Sequence, residues 1–310
     1  MSYRFQEDET VPDGVKRIAL EQIEKALELA TAGSQAGENL DVAIHDTRMC
    51  CKKLRGLLRL VRLELDEQTF KKENVYYRDV SRRLSSVRDT AALVETLDKL
   101  IERFADQLAE SAFQTIRKSL TRSRENEQVD KQKALAEVKK TLTGARERVE
   151  KWPLQKNDFS VLGGGLERIY RQGRLGFTTA LEQPSVEHFH EWRKQVKYLW
   201  YHMRLLEPTW PTLLKQFASE LKTLSDYLNA DHDLAMLRAR VLEQPGNADD
   251  QTEIEALVAL IDQRRGELQV QAQLQGKRVY AEKPEVFKNR FQEYWRAWHS
   301  EQPTDPIAVS

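Results

Sequence analysis

The chain has 310 residues, 40% hydrophobic and 32% charged, and its 49 basic side chains balance 49 acidic ones to a formal net charge of zero. That length can bury one large core or two smaller ones. No apolar run approaches the ~18 residues of a membrane span, Met1–Asp13 is acidic and polar with no apolar stretch of a secretion signal, and overall neutrality argues against a nucleic-acid domain, which is typically basic throughout.

Glycines (13) and prolines (9) are scarce. Apolar residues recur at helical rather than alternating spacing, so the expected fold class is all-α. A first helix covers about Val11–Ala30, with Val15, Ile18, Ala19, Ile23, Ala26 and Leu27 on its packing side, Pro12 near its first turn and Gly33 past its end. The polar link Gly33–Asn39 leads into a second helix, about Asp41–Leu65. Further helices are expected over about Glu67–Ser86, Thr90–Ala109, 111–124 and 131–151. Trp152-Pro153 and then Gly163-Gly164-Gly165 mark a break. The glycine run has neither the following Gly-Lys-Ser/Thr nor the preceding strand of a phosphate-binding loop, so it reads as a flexible hinge. Helical patterning resumes from about Leu166. Cys50 and Cys51, the only cysteines, are helix neighbours that cannot readily bridge each other, and read as reduced core thiols of a cytoplasmic protein.

The second helix carries the unusual pattern. Stepped at the helical angle, His45, Arg48, Lys52, Arg55, Arg59 and Arg62 share one arc of ~100°. Cys50, Leu54, Leu57, Leu58, Val61 and Leu65 share the adjacent arc. One side is built to pack, and beside it stands a ladder of cations ~25 Å long at ~1.5 Å per residue, a length suited to an extended polyanion. Charge is segregated: residues 41–62 carry six Lys/Arg against two Asp, and 71–88 carry six against two acids. The balancing acids lie elsewhere, notably in 1–40 and 243–267. Segregated cations on a neutral chain suggest an enclosed anion site.

A second copy follows. His190, Arg193, Lys197 and Arg204 repeat His45, Arg48, Lys52 and Arg59, each 145 positions on. Leu84–Asp89 (L-S-S-V-R-D) matches Leu228–Asp233 (L-N-A-D-H-D) 144 positions on, and Arg78 matches Lys222. One slip over that distance is what an internal duplication leaves. The simplest architecture is two helical bundles related by a pseudo-two-fold, with the basic helices facing a shared groove or pore. The copies are unequal: Arg55 becomes Trp200, Arg62 becomes Glu207 and Arg82 becomes Asp226, so the second wall is expected to be less positive.

H-D-T-R-x-x-x-K-K-L-R from His45 and F-H-E-W-R-K-Q-V-K-Y-L-W-Y from Phe189 look like the paired motifs of the CHAD family, the conserved histidine α-helical domain. Arg88-Asp89 and the L-N-A-D-H-D-L of Leu228–Leu234 are similar to that family's second motif in each half. The resemblance spans roughly residues 10–300. It implies one domain over 1–310, built of two four-helix-type bundles around a basic central cavity: a first repeat at about 10–152, the hinge at about 153–165 and a second repeat at about 166–300. It implies non-catalytic binding of inorganic polyphosphate without a cofactor or metal, association with cytoplasmic polyphosphate granules, and polyphosphate-metabolising enzymes or granule proteins as partners. Family members are frequently fused to a triphosphate-tunnel catalytic domain. That domain's E-x-E-x-K signature is missing and too few residues precede the first helix to hold it, so a stand-alone binding module is expected. By motif position His45, Arg48, Lys52, Lys53, Arg55, Arg59, His190, Arg193, Lys197 and Arg204 carry over as phosphate contacts. Arg62, Arg78, Arg82, Arg88 and Lys222 extend the candidate set. Asp46, Asp89 and Asp233 are the acids expected to orient the cations, and Trp200 breaks the pattern at one step.

Polyphosphate has no bases to read, so recognition must come from charge and spacing. Arginine offers a planar fork for two phosphate oxygens, and lysine a compact charge on a flexible stem. Histidine beside phosphates should favour its protonated form, so binding is expected to tighten as pH falls from about 8 to 6. Tyr198, Trp200 and Tyr201 could stack nucleic-acid bases, but they scatter around the helix and read better as core or rim packing. Trp295 and Trp298 read as docking anchors, and Lys71, Lys72 and Lys194 as solvated. Asp231-His232-Asp233 is the most enzyme-like cluster; with His45-Asp46 it gives two His-Asp pairs like those of metal-dependent phosphohydrolases. The simpler reading is a helix start with Asp231 near the N-cap, because a dication beside Arg48 and Lys52 would be repelled and no full ligand shell is evident. The competing functions are thus a metal-dependent phosphohydrolase and a helical nucleic-acid-binding protein.

Overall fold

The computed structural model describes residues 3–33, 40–85, 89–108, 112–122, 127–243 and 248–300, with no strand among them. The helices are α1 (Val11–Ala32), α2 (Leu40–Leu60), α3 (Glu67–Ser85), α4 (Asp89–Arg103), α5 (Gln114–Arg122), α6 (Glu127–Leu142), α7 (Ala145–Glu150), α8 (Ser160–Glu182), α9 (Val186–Leu205), α10 (Pro211–Leu242), α11 (Ala248–Val279) and α12 (Pro284–Ser300). The start of α1 is fixed by Thr10, whose hydroxyl accepts from the Asp13 amide at 3.2 Å, with Pro12 in the first turn where its missing N–H is harmless. Ser185 caps α9 in the same way, accepting from His188 at 3.1 Å. The amphipathic spacing read from α1 holds: Val11, Val15, Ile18, Ala19, Ile23, Ala26 and Ala30 are all buried.

Two helices sit at the centre of the packing. α2 touches α1, α3, α6, α8 and α9, and α9 touches α2, α8 and α10. The larger core gathers side chains from α1–α3 and α6–α10, with α12 docked through Phe287, Phe291, Trp295 and Trp298. Trp295 packs its ring against Phe5, Phe159 and Trp298, which is the anchoring expected of it. A second core joins Val94, Leu97, Leu100, Phe104, Ile116 and Leu120 of the α4–α5 region to Leu234, Leu237, Val241, Ile254, Leu257, Ile261 and Leu268 of α10 and α11. Both cores draw on both halves of the sequence.

Four expectations need correction. The second helix ends at Leu60 and gives way to a turn, so Arg62 lies off the ladder's helix. The fourth ends at Arg103 rather than Ala109 and continues only as a short 3₁₀ turn over Ala105–Gln107. Asp231 lies far inside α10 and caps nothing. Gly163–Gly165 is not a hinge: the glycines lie in the first turns of α8, where they let it pass close to the end of α2. A Cβ on Gly165 would stand 2.0 Å from the Leu60 carbonyl oxygen and 2.5 Å from that of Arg59. No side chain fits there, so glycine is required by contact rather than by freedom. Arg88 and the link Ser34–Asn39 lie outside the described residues, as does the side chain of Asp89.

Candidate cation site where α2 crosses α9

The two basic helices meet directly. Gly56 of α2 sits against Tyr201 of α9, so closely that a Cβ on the glycine would lie 3.1 Å from that of the tyrosine. Beside it the buried ring of His202 donates from Nε2 to the Gly56 carbonyl at 3.0 Å. Burial holds His202 neutral, pulled down to about 4. To one side of this crossing the Arg59 guanidinium lies 4.0 Å over the Tyr198 ring. To the other, Lys53 and Arg204 share the ring of Tyr3, at 5.1 and 5.9 Å from its centroid. Tyr3 is brought there by the N-terminal segment: its hydroxyl donates to the Lys53 carbonyl at 2.9 Å, and Phe5 N–H donates to the Leu205 carbonyl at 3.1 Å. The cations lie to either side of this crossing. Two surface depressions, of about 580 and 330 Å³, lie elsewhere, the first against α1 and α6, the second against α3 and α6.

The candidate residues separate into two groups by their partners. Arg62 pairs with Glu67 at 3.3 Å and stacks on Phe70, Arg78 pairs with Asp79 at 2.8 Å, and Lys222 pairs with Asp226 at 2.6 Å. Arg82 is exposed. Among the described residues, Lys53, Arg55, Arg59, Arg193, Lys197 and Arg204 form no ion pair with a carboxylate. Their contacts are neutral. Asn74 Oδ1 accepts from Arg55 Nε at 3.1 Å and from Arg59 Nη1 at 2.8 Å. Asn229 Oδ1 accepts from Arg193 Nη1 at 2.8 Å. Lys197 and Arg204 lie 4.6 and 5.1 Å over the Trp200 ring.

Crowding and burial act on these charges. Lys197 is pulled down to about 8, first by burial, with Lys222, Arg193 and Arg204 adding to the shift and Asp226 opposing it. Burial, reinforced by Arg204, lowers Lys53. Burial lowers Arg59 to about 10, still charged at neutral pH. Burial, Arg193 and Lys194 hold His190 below the usual imidazole range. Its Nδ1 lies 3.4 Å from Arg193 Nη2, and since a guanidinium can only donate, that nitrogen accepts. The protein's own cations thus disfavour protonation of His190, and the expected protonated form depends on phosphates beside it. His45 is exposed, and Arg48 and Lys52 are partly buried on the same side of α2.

Of the expected acids, Asp46 acts electrostatically on Lys53, and Asp233, exposed on α10, acts on Arg193, Lys99 and Lys52. The Asp231-His232-Asp233 run splits three ways, as successive helical residues must at ~100° per step. Asp231 is buried and pairs with Arg265 at 3.0 Å while accepting from Gln269 at 2.9 Å. His232 faces His190, ring centroids 4.6 Å apart, and burial with neighbouring cations pulls it down to about 4. Among the described residues, no three His, Cys, Asp or Glu side chains converge to hold a metal. Tyr198 and Tyr201 are buried, as the packing reading expects, and Trp200 is partly buried at the rim. Cys50 and Cys51 are buried free thiols, with Cys51 pushed up to about 12 by burial.

Sequence reasoning missed Asn74, Tyr3 and the role of Gly56. A lone glycine inside a helical pattern is a signal of close packing that could have found Gly56, whereas nothing local marks Asn74. No helix is long and apolar enough to cross a membrane among the described residues. No curated protein matches this chain. A family model described as CHAD domain matches residues 17–242.

Proposed function

Because the chain belongs to the CHAD family, we propose that it is a non-catalytic binding protein for inorganic polyphosphate, using the cations gathered around the α2–α9 crossing. The observation that carries this reading is the set of six cations, Lys53, Arg55, Arg59, Arg193, Lys197 and Arg204, that form no ion pair with a carboxylate among the described residues. Holding like charges together and partly out of water is unfavourable, and burial with neighbouring cations pulls Lys197 down to about 8. A polyanion relieves this crowding. Such perturbed groups cluster where ligands bind. Each charge-assisted hydrogen bond contributes ~1.5–3 kcal/mol net, so a few suffice for tight binding after ordering costs are met.

The crossing also supports the proposed duplication. Gly56 and Tyr201 are themselves 145 positions apart, and exchanging the copies turns the contact of Arg59 with Tyr198 into the pair Arg204 and Lys53, which lie over one ring of Tyr3 and act on each other electrostatically. A pseudo-two-fold axis through Gly56 and Tyr201 accounts for both. Arg48, Lys52, His45 and His190 then flank the line a phosphate chain takes, while Arg62, Arg78 and Lys222, neutralised by neighbouring acids, contribute at its edges.

The test is retention on immobilised long-chain polyphosphate of wild type against Arg48→Glu combined with Arg193→Glu, with helicity checked by circular dichroism. Wild type should be retained and the variant should not. Equal retention removes the α2–α9 cations from the reading. Phosphate release with Mg²⁺ or Mn²⁺ would instead favour a hydrolase, and displacement of polyphosphate by RNA at equal charge would favour a nucleic-acid binder. Association with cytoplasmic polyphosphate granules is the expected cellular consequence.

A further inference from the structure

Elsewhere this protein commonly holds its partly buried arginines with carboxylates. Arg17 is held by Glu9 and Glu21, Arg148 by Glu73, Arg265 by Asp231 and Arg290 by Glu282. The arginines at the crossing depart from that habit. Arg59 Nη1 donates to the Arg55 carbonyl at 3.0 Å and to Asn74 Oδ1 at 2.8 Å, and Arg55 donates to the same amide oxygen. Arg193 donates to Asn229 Oδ1 and to the neutral imidazole of His190. Every acceptor is uncharged. The Asn229 amide is itself oriented, since its Nδ2 donates to the hydroxyl of the buried Ser225 at 3.4 Å.

We propose that Asn74 and Asn229 are positioning residues that fix the guanidinium forks of Arg55, Arg59 and Arg193 without neutralising them. This rests on the polyphosphate-binding reading and adds to it a division of labour: the amides supply geometry and leave the charge for the ligand. A carboxylate of the same size would hold the arginine more firmly, because a charged acceptor strengthens the hydrogen bond. It would also cancel the charge the phosphate needs. Fold stability and anion affinity therefore pull in opposite directions at these two positions, and asparagine favours affinity.

The experiment measures urea midpoints and polyphosphate Kd for wild type, Asn74→Asp, Asn229→Asp, Asn229→Ala and the control Gln263→Glu, which adds the same charge on an exposed turn of α11. The Asp variants should unfold at equal or higher urea than wild type yet bind more weakly. Affinity should fall by roughly tenfold for the one unit of charge each new carboxylate cancels, a loss that Arg55 and Arg59 share in Asn74→Asp and that falls on Arg193 alone in Asn229→Asp. Their salt dependence should become shallower by about one counterion per cancelled contact. Asn229→Ala should weaken binding while keeping the salt slope, and Gln263→Glu should change affinity less than twofold. Asp variants that bind as wild type does overturn the clamp, and so do Asp variants that lose stability and affinity together, because that marks a purely structural role. If wild type itself fails to bind, the polyphosphate reading falls and takes the clamp with it, an outcome that wild-type binding alone identifies.

Discussion

Gly165→Ala is the substitution on which the two readings of the glycine run part most clearly. In a flexible hinge, alanine would be harmless, or stabilising by up to ~1 kcal/mol through its better helix propensity. At the observed crossing the new Cβ stands 2.0 Å from the Leu60 carbonyl oxygen, with the Arg59 carbonyl at 2.5 Å. An ordinary carbon–oxygen contact is over 3 Å. The obstructing atoms are backbone, so no rotamer change relieves the overlap and α2 and α8 must move apart. Overpacking costs ~1–3 kcal/mol and sometimes more, and a clash between two backbones belongs at the upper end. Set against the propensity gain, the net loss is about 2 kcal/mol, or a fall in Tm of about 4–8 °C on the scale for large domains. Gly266→Ala is the control, since nothing lies within 4 Å of its added Cβ; its midpoint should rise slightly. Both are read by thermal and urea unfolding followed by circular dichroism. A Gly165→Ala protein as stable as wild type would refute the close crossing and restore the hinge. Because Arg59 sits on the same turn of α2, the variant should also weaken polyphosphate binding.

Polyphosphate affinity should be full below pH 8 and fall as pH rises through it, because Lys197 titrates at about 8 in the free protein. Calorimetry should register proton uptake there, and Lys197→Arg should bind without that slope. His202, pulled down to about 4 from an unfolded value of ~6.5, favours the fold only while neutral. Its contribution, about 3 kcal/mol at full extent, is present above pH 6.5 and lost as pH falls towards 4; urea midpoints at pH 7 and 5 should drop more for wild type than for His202→Gln. Trp200→Arg restores the missing step beside Lys197 and Arg204, and should tighten polyphosphate binding by roughly fivefold while lowering the thermal midpoint through like-charge crowding. Unchanged affinity would mean the phosphate chain does not pass Trp200.

Local sequence was enough to locate the helices, their packing sides and the repeated His-Arg-Lys pattern, because helical periodicity forces residues three and four apart onto one side whatever the fold does next. It also marked Tyr198 and Tyr201 as packing residues and Trp295 as an anchor. It misread the glycine run, because scarcity of side chain looks alike in a loop and at a tight helix crossing; only the neighbour, the carbonyl of Leu60, distinguishes them. It likewise treated every basic residue of the ladder as equivalent. Which cations stay unpaired depends on what stands opposite: Glu67 and Asp79 cancel Arg62 and Arg78, whereas Asn74 and Asn229 leave Arg55, Arg59 and Arg193 charged. Partners 15 to 36 residues away along the chain are set by helix packing, and no periodicity within one helix encodes them.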